Sequence, residues 1–96
     1  MKGISSDVIK LLMDRFGEEE QTRQAMGECG EFIAAAQNYH RAKKFGDREE
    51  SLKDLMSEVV DVYLMMVQMR HLDTDLFDEI CENKQALITQ KAKGLL

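Results

Sequence analysis

The sequence predicts an all-α protein: an antiparallel bundle of about four helices whose core is completed by oligomerisation. Three observations carry this expectation. The 96-residue chain contains no proline and only six glycines, and Glu, Lys, Leu, Met, Ala and Gln, all good helix formers, dominate it. Its apolar residues fall on faces of a 3.6-residue wheel. Its breaks are short, which makes successive helices antiparallel neighbours. A chain of this length forms one domain, residues 1–96, with a single core. Folding at this size buries only about 60 to 68% of the unfolded surface, so a partner subunit would add useful burial.

The elements follow in order. Ser5 or Ser6 with Asp7 can cap a first helix to about Phe16, and Gly17 breaks it. A second, long helix starts in the acidic run "EEEQ", where negative charge suits a helix N-terminus, and continues to about Lys44. "KFGDREE" reads as a loop, after which Ser51 with Asp54 resembles a capping box opening a third helix to about Leu72. Asp73 or Thr74 caps the fourth, and Gly94 ends it.

Several function classes are disfavoured. A formal net charge of −5 with no dominant basic stripe argues against a nucleic acid polymer as partner. No apolar run reaches the length of a membrane span and the N-terminus has no signal-type apolar segment, so the expectation is a cytoplasmic protein without a membrane partner. Cys29 and Cys81 lack metal-site spacing and read as reduced, packed thiols. A di-iron bundle would need Glu-x-x-His pairs. Gln37 and Gln68 stand three residues before His40 and His71, so that alternative is poor.

The third helix holds the main anomaly. Asp54, Glu58, Asp61 and Gln68 form a narrow polar stripe with Met65 among them, inside an arc of Leu, Val, Met and Tyr far wider than one core-facing stripe. Such a helix is expected to be enclosed on two sides, by its own bundle and by another subunit. On the second helix Gln21, Gln24, Glu28 and Glu31 share a stripe beside an apolar arc that includes Ala25, Met26, Cys29 and Ile33. Antiparallel pairing of the two helices would gather Glu28, Glu31, Glu58 and Asp61. Four adjacent, partly desolvated carboxylates do not all stay ionised without a cation, and an all-oxygen set points to Mg²⁺, with Mn²⁺ as substitute. The bland alternative is a solvated acidic helix face. It suits Glu28 and Glu31 taken alone better than it suits Asp61, which lies between "VV" and "VYLMM". On the fourth helix Lys84 is centred in an apolar face of Phe77, Ile80, Cys81, Leu87 and Ile88, with Lys91 two turns on. It either snorkels to water or meets the acids or a bound anion.

These segments, "GEEEQTRQAMGECGEFI" and then "SEVVDVYLMM", resemble the MazG-like all-α nucleoside triphosphate pyrophosphohydrolases, whose signature is Glu-Glu-x-x-Glu followed by Glu-x-x-Asp. Glu28 and Glu31 match the end of the first half, Glu58 and Asp61 the second, over a likeness spanning residues 16 to 91. Gly27 stands where the family has its leading glutamate, which removes a support of the metal ligands. Glycine at positions 27 and 30 lowers helix stability and could admit a closely packed helix. The resemblance implies Mg²⁺-dependent cleavage of a nucleoside triphosphate between the α and β phosphates, giving the monophosphate and pyrophosphate. It implies Glu28, Glu31, Glu58 and Asp61 as metal ligands, with Glu31 or Glu58 activating water. Lys84, Asn83 and Lys91 would contact phosphate, and Gln21, Gln24 and Phe16 the base. The expected assembly is a homodimer or homotetramer. The alternative is a catalytically weak oligomeric module of the same fold, binding nucleotide or protein.

Overall fold

The computed structural model describes residues 4–45 and 47–95. All regular structure among them is helical, in the order α1 (Ser6–Phe45), α2 (Arg48–Met69), a 3₁₀ turn (Arg70–Leu72) and α3 (Thr74–Gly94). The all-α expectation holds, and the local signals explain most of the boundaries. Ser5 caps α1, its Oγ accepting from the Val8 amide at 3.4 Å and its carbonyl from the Ile9 amide at 3.1 Å. Gly17 takes a left-handed φ of 83° with ψ of 162° and divides α1 into two arms, the break expected there. Glu18, Glu19 and Glu20 then open the second arm, where Thr22 Oγ1 donates to the Glu18 carbonyl and Arg23 pairs with Glu19 at 2.7 Å.

The start of α2 departs from expectation. Asp47, not Ser51, is the N-cap, and its carboxylate accepts from the Glu50 amide at 3.3 Å. The helix therefore begins at Arg48, inside the expected "KFGDREE" loop, and α1 runs to Phe45; position 46 lies outside the described residues. An aspartate cap with glutamates 49 and 50 in the first turn satisfies the free amides earlier than a serine at 51 could. Arg48 also donates to the Tyr39 hydroxyl at 3.3 Å, tying the first turn of α2 to α1. At the other end Asp73 caps α3 as expected, accepting from the Leu76 amide at 3.0 Å. Gly94 is the last helical residue, but Gly17 is the one described glycine with positive φ, so α3 closes without a left-handed cap.

The second arm of α1 and α2 form an antiparallel hairpin. α3 does not join it. Among the described residues α3 touches neither α1 nor α2 and meets only the 3₁₀ turn, so the expected bundle is not closed within one chain. Its direction is set by Arg70, whose guanidinium grips Asp78 through two hydrogen bonds of 2.9 and 2.8 Å, and by Asp73, whose backbone is extended at φ −159°, ψ 91°. The consequence is an open shape, with a radius of gyration of 16.6 Å where a compact chain of this length has about 12.5 Å.

Burial is correspondingly thin. Ile9, Ala25, Ala35 and Met65 form the buried apolar set, and Gln21 and Gln68 are buried with them. Met26 and Ile33, read from sequence as part of the apolar arc of their helix, are exposed. The line through Gln21, Ala25, Glu28 and Ala35 faces α2 instead. α2 is inverted in the same sense: Met65 and Gln68, on its polar stripe, are the buried residues, while Val59, Val60, Tyr63 and Met66 face outward.

Candidate functional site

The hairpin register places the acids. α1 presents Glu28 and Glu31 one turn apart, and α2 presents Glu58 and Asp61 one turn apart on the face it packs against α1. Oxygens of Glu28, Glu31 and Glu58 all lie within 4.8 Å of one another. Asp61 is close enough to act electrostatically on both Glu28 and Glu58. Two antiparallel helices thus bring together the four acids picked out in the sequence, three of them within reach of a single ion.

The electrostatics are those of crowded like charges. The Glu28 carboxyl is pushed above its ordinary value, first by loss of solvent and then by Glu31 and Asp61, with Gln24 offsetting part of this by a hydrogen bond. Glu58 is raised for the same leading reason and then by Glu31, Asp61 and Glu28. One oxygen of each, Oε2, is shut off from solvent without a hydrogen-bond partner. Among the described residues the ion pairs are Arg23–Glu19 and Arg70–Asp78, and neither involves these acids. Carboxylate oxygens held together, one of each of Glu28 and Glu58 without a partner, form an all-oxygen donor set suited to a hard divalent cation.

A cleft of about 330 Å³ adjoins the acids on one side. Glu31 and Glu58 stand at one end, Ala34 and Ala35 form part of its lining, and Asn38, Asp54 and Ser57 supply its polar walls. Asn38 and Ser57 were not singled out by the sequence. Asn38 lies two turns beyond Glu31 toward the loop and Ser57 directly precedes Glu58, so the neighbourhood of the paired acids would have found them.

The remaining candidates fall elsewhere. Gln24 lies beside Glu28, and Gln21, one turn earlier, is buried. Phe16 is exposed ahead of the Gly17 break. Lys84 lines a second groove of about 310 Å³ along α3, with Phe77, Ile80, Cys81, Gln85 and Ile88. Asn83 and Lys91 are exposed on the same helix. Because α3 stands clear of the hairpin, one chain does not bring Lys84, Asn83 or Lys91 to its own acids. Gly27 and Gly30 are exposed, and a Cβ at either would meet nothing within 4 Å, so neither glycine serves a close helix contact within the chain. Cys29 and Cys81 are free and half-buried. No described helix is long and apolar enough to cross a membrane.

Comparison with protein families, with characterised proteins and with solved structures finds no match to this chain.

Proposed function

We propose that the chain is a Mg²⁺-dependent hydrolase that cleaves nucleoside or deoxynucleoside triphosphates between the α and β phosphates to the monophosphate and pyrophosphate, working as a homodimer or homotetramer. The observation that carries this is the meeting of Glu28, Glu31 and Glu58 oxygens within 4.8 Å, with Asp61 adjacent and, among the described residues, no ion pair to any of them. An apolar helix does not gather such groups for stability, since each raises the cost of ionising the others.

Glu28, Glu31, Glu58 and Asp61 would hold the metal, with Mn²⁺ able to replace Mg²⁺. When bound, the ion supplies positive charge against phosphate oxygens and lowers the pKa of a water. Glu31 and Glu58 border the cleft, and one of them orients or deprotonates the attacking water. Glu58 has the raised basicity this task needs; Glu31 has the exposure. The cleft beyond them gives room for part of a nucleotide, and base contacts are assigned to Gln24, Gln21 and Phe16, which precede the acids on α1. Phosphate contacts are assigned to Lys84, Asn83 and Lys91.

A nucleotide-binding or protein-interaction module without turnover is the second reading, favoured by Gly27 in place of an acid and by the distance of α3 from the acids within one chain. Incubating the protein with a panel of nucleoside triphosphates and Mg²⁺ separates them. Pyrophosphate and monophosphate in equal amounts support the hydrolase, and binding without product supports the module.

A further inference from the structure

We propose that α3 is an exchanged arm: in a two-fold dimer, α3 of each copy lies antiparallel along the outer apolar face of the other copy's α2. This rests on the oligomer proposed above and specifies its surface, its direction and the residues it carries.

The chain exposes 7762 Å², whereas a compact folded monomer of 11.0 kDa exposes about 5,600 Å². The excess of about 2,100 Å² per chain is more than twice the roughly 800 Å² each partner contributes to a standard stable interface. Two unpartnered helix faces hold eleven of the eighteen large apolar side chains exposed among the described residues. On α2, Leu52, Met56, Val59, Val60, Tyr63 and Met66 are all more than a third exposed. On α3, Leu76, Phe77, Ile80, Leu87 and Ile88 are between 41% and 67% exposed, so a helix that is amphipathic by sequence has nothing on its apolar side.

The two faces match. Helices of 22 and 21 residues are each about 32 Å long at 1.5 Å per residue. Both stripes run at spacings of three and four, so their ridges can interdigitate along the full length. The α1 surface offers a poorer seat, since its exposed Met26 and Ile33 are two turns apart with Gly27 and Gly30 between them.

Charge decides the direction. Charge on α2 lies in its first two-thirds, where Glu49, Glu50, Asp54, Glu58 and Asp61 outweigh Arg48 and Lys53, and no charged residue follows from Val62 to Met69. On α3 Asp75, Asp78, Glu79 and Glu82 lie in the first half, with Lys84, Lys91 and Lys93 behind them. A parallel arrangement sets acids on acids. The antiparallel one sets the lysine end of α3 beside the acidic end of α2 and lays the acidic end of α3 along the uncharged stretch. It also brings Lys84 and Lys91 of one copy level with the Glu58 end of the other copy's α2, on the face turned away from α1.

Why α3 does not serve its own chain is visible at the turn. Arg70 holds Asp78 bidentately and Asp73 is extended, which points α3 away from the α2 that precedes it. The surface left bare on each α2 is then covered by the arm of its partner, and the two-fold operation closes both contacts at once.

Light scattering behind size exclusion at tens of micromolar should give about 22 kDa or a multiple of it for the wild type. Ile80→Asp with Ile88→Asp on α3, or Val60→Asp on α2, should halve that mass while far-UV circular dichroism stays helical. A monomeric wild type overturns both this proposal and the oligomer it rests on. An unchanged mass in the α3 variant overturns the exchanged arm alone. If the charged variants unfold, cysteine placed singly at Met56, Val60 or Tyr63 and oxidised against the native Cys81 decides. A covalent dimer lost on Cys81→Ser supports the exchange; an internal disulfide in a monomer, or no Cys81-dependent bond at all three positions, overturns it.

Discussion

Replacing Gly27 and Gly30 by alanine perturbs the second arm of α1 beside the acids without touching them. Both positions are interior to α1, both are exposed, and an added methyl at either meets no atom within 4 Å. Neither has a positive φ, so alanine adopts the existing backbone. Each substitution then contributes mainly through helix propensity and a less flexible unfolded chain, about 1 kcal/mol apiece. Because the two methyls enter open space, their effects should nearly add, to about 2 kcal/mol. In a domain of this size, 1 kcal/mol shifts Tm by about 4 to 8 °C, so the double variant should melt about 8 to 16 °C higher. The assay is thermal denaturation followed at 222 nm, in chelator and at a fixed protein concentration, with each single variant alongside. A Tm that falls, or a loss that grows with protein concentration, would refute the reasoning, because it would mean that a neighbouring copy packs against these glycines. Gly27→Glu sharpens the test, since it adds a carboxylate four residues before Glu31. That like-charge pair costs about 0.2 to 0.5 kcal/mol, so in chelator this variant should gain less than Gly27→Ala.

The other expectations concern the acids. Asp61→Asn keeps the shape of the side chain and removes a charge that raises the Glu28 and Glu58 carboxyls, so the metal-free protein should be no less stable while its Tm gain from Mg²⁺ disappears; a mutant that melts far lower in chelator yet gains normally from Mg²⁺ would show a structural Asp61 instead. In chelator, lowering the pH from 7 toward 5 should stabilise the protein, because carboxyls whose folded pKa lies above the unfolded 4.5 take up protons more readily when folded. Below that the trend should reverse as Asp78, held low by its hydrogen bonds to Arg70, is protonated and its contribution is lost; melts across pH 3 to 7 read both limbs, and saturating Mg²⁺ should abolish the first. If the arm exchange supplies Lys84 to the other copy's acids, Lys84→Ala and Glu58→Gln should each be inactive alone. Mixed and re-equilibrated, they should recover roughly a quarter of wild-type turnover, because half the dimers carry one intact site of two; a mixture as inactive as its parts would place Lys84 outside the site.

Much of the site was legible before any coordinates. Carboxylates at Glu28 and Glu31 and at Glu58 and Asp61, each pair one turn apart, lie on one face of a helix whatever surrounds them, and a short break makes those helices antiparallel. Local chemistry likewise set the Gly17 break and the Asp73 cap, since backbone conformation and nearby hydrogen bonds decide both. Cap choice at α2 was less legible, because Asp47 and Ser51 are both competent and Asp47 satisfies the free amides one turn earlier.

What the amino acids alone determined, then, is helical content, the breaks and the pairing of acids, all of which depend on neighbours within a turn or two. Which face of each helix is inside was decided by tertiary structure. Two wide apolar arcs, on α2 and α3, could each have turned inward, yet the hairpin buries Met65 and Gln68 on the polar stripe and leaves Tyr63 and Val60 outside. Arg70 and Asp78 hold α3 clear of that surface. The physical reason is that hydrophobic burial has no direction of its own: it rewards any partner that removes the same area from water, and a chain this short has more apolar face than its own helices cover.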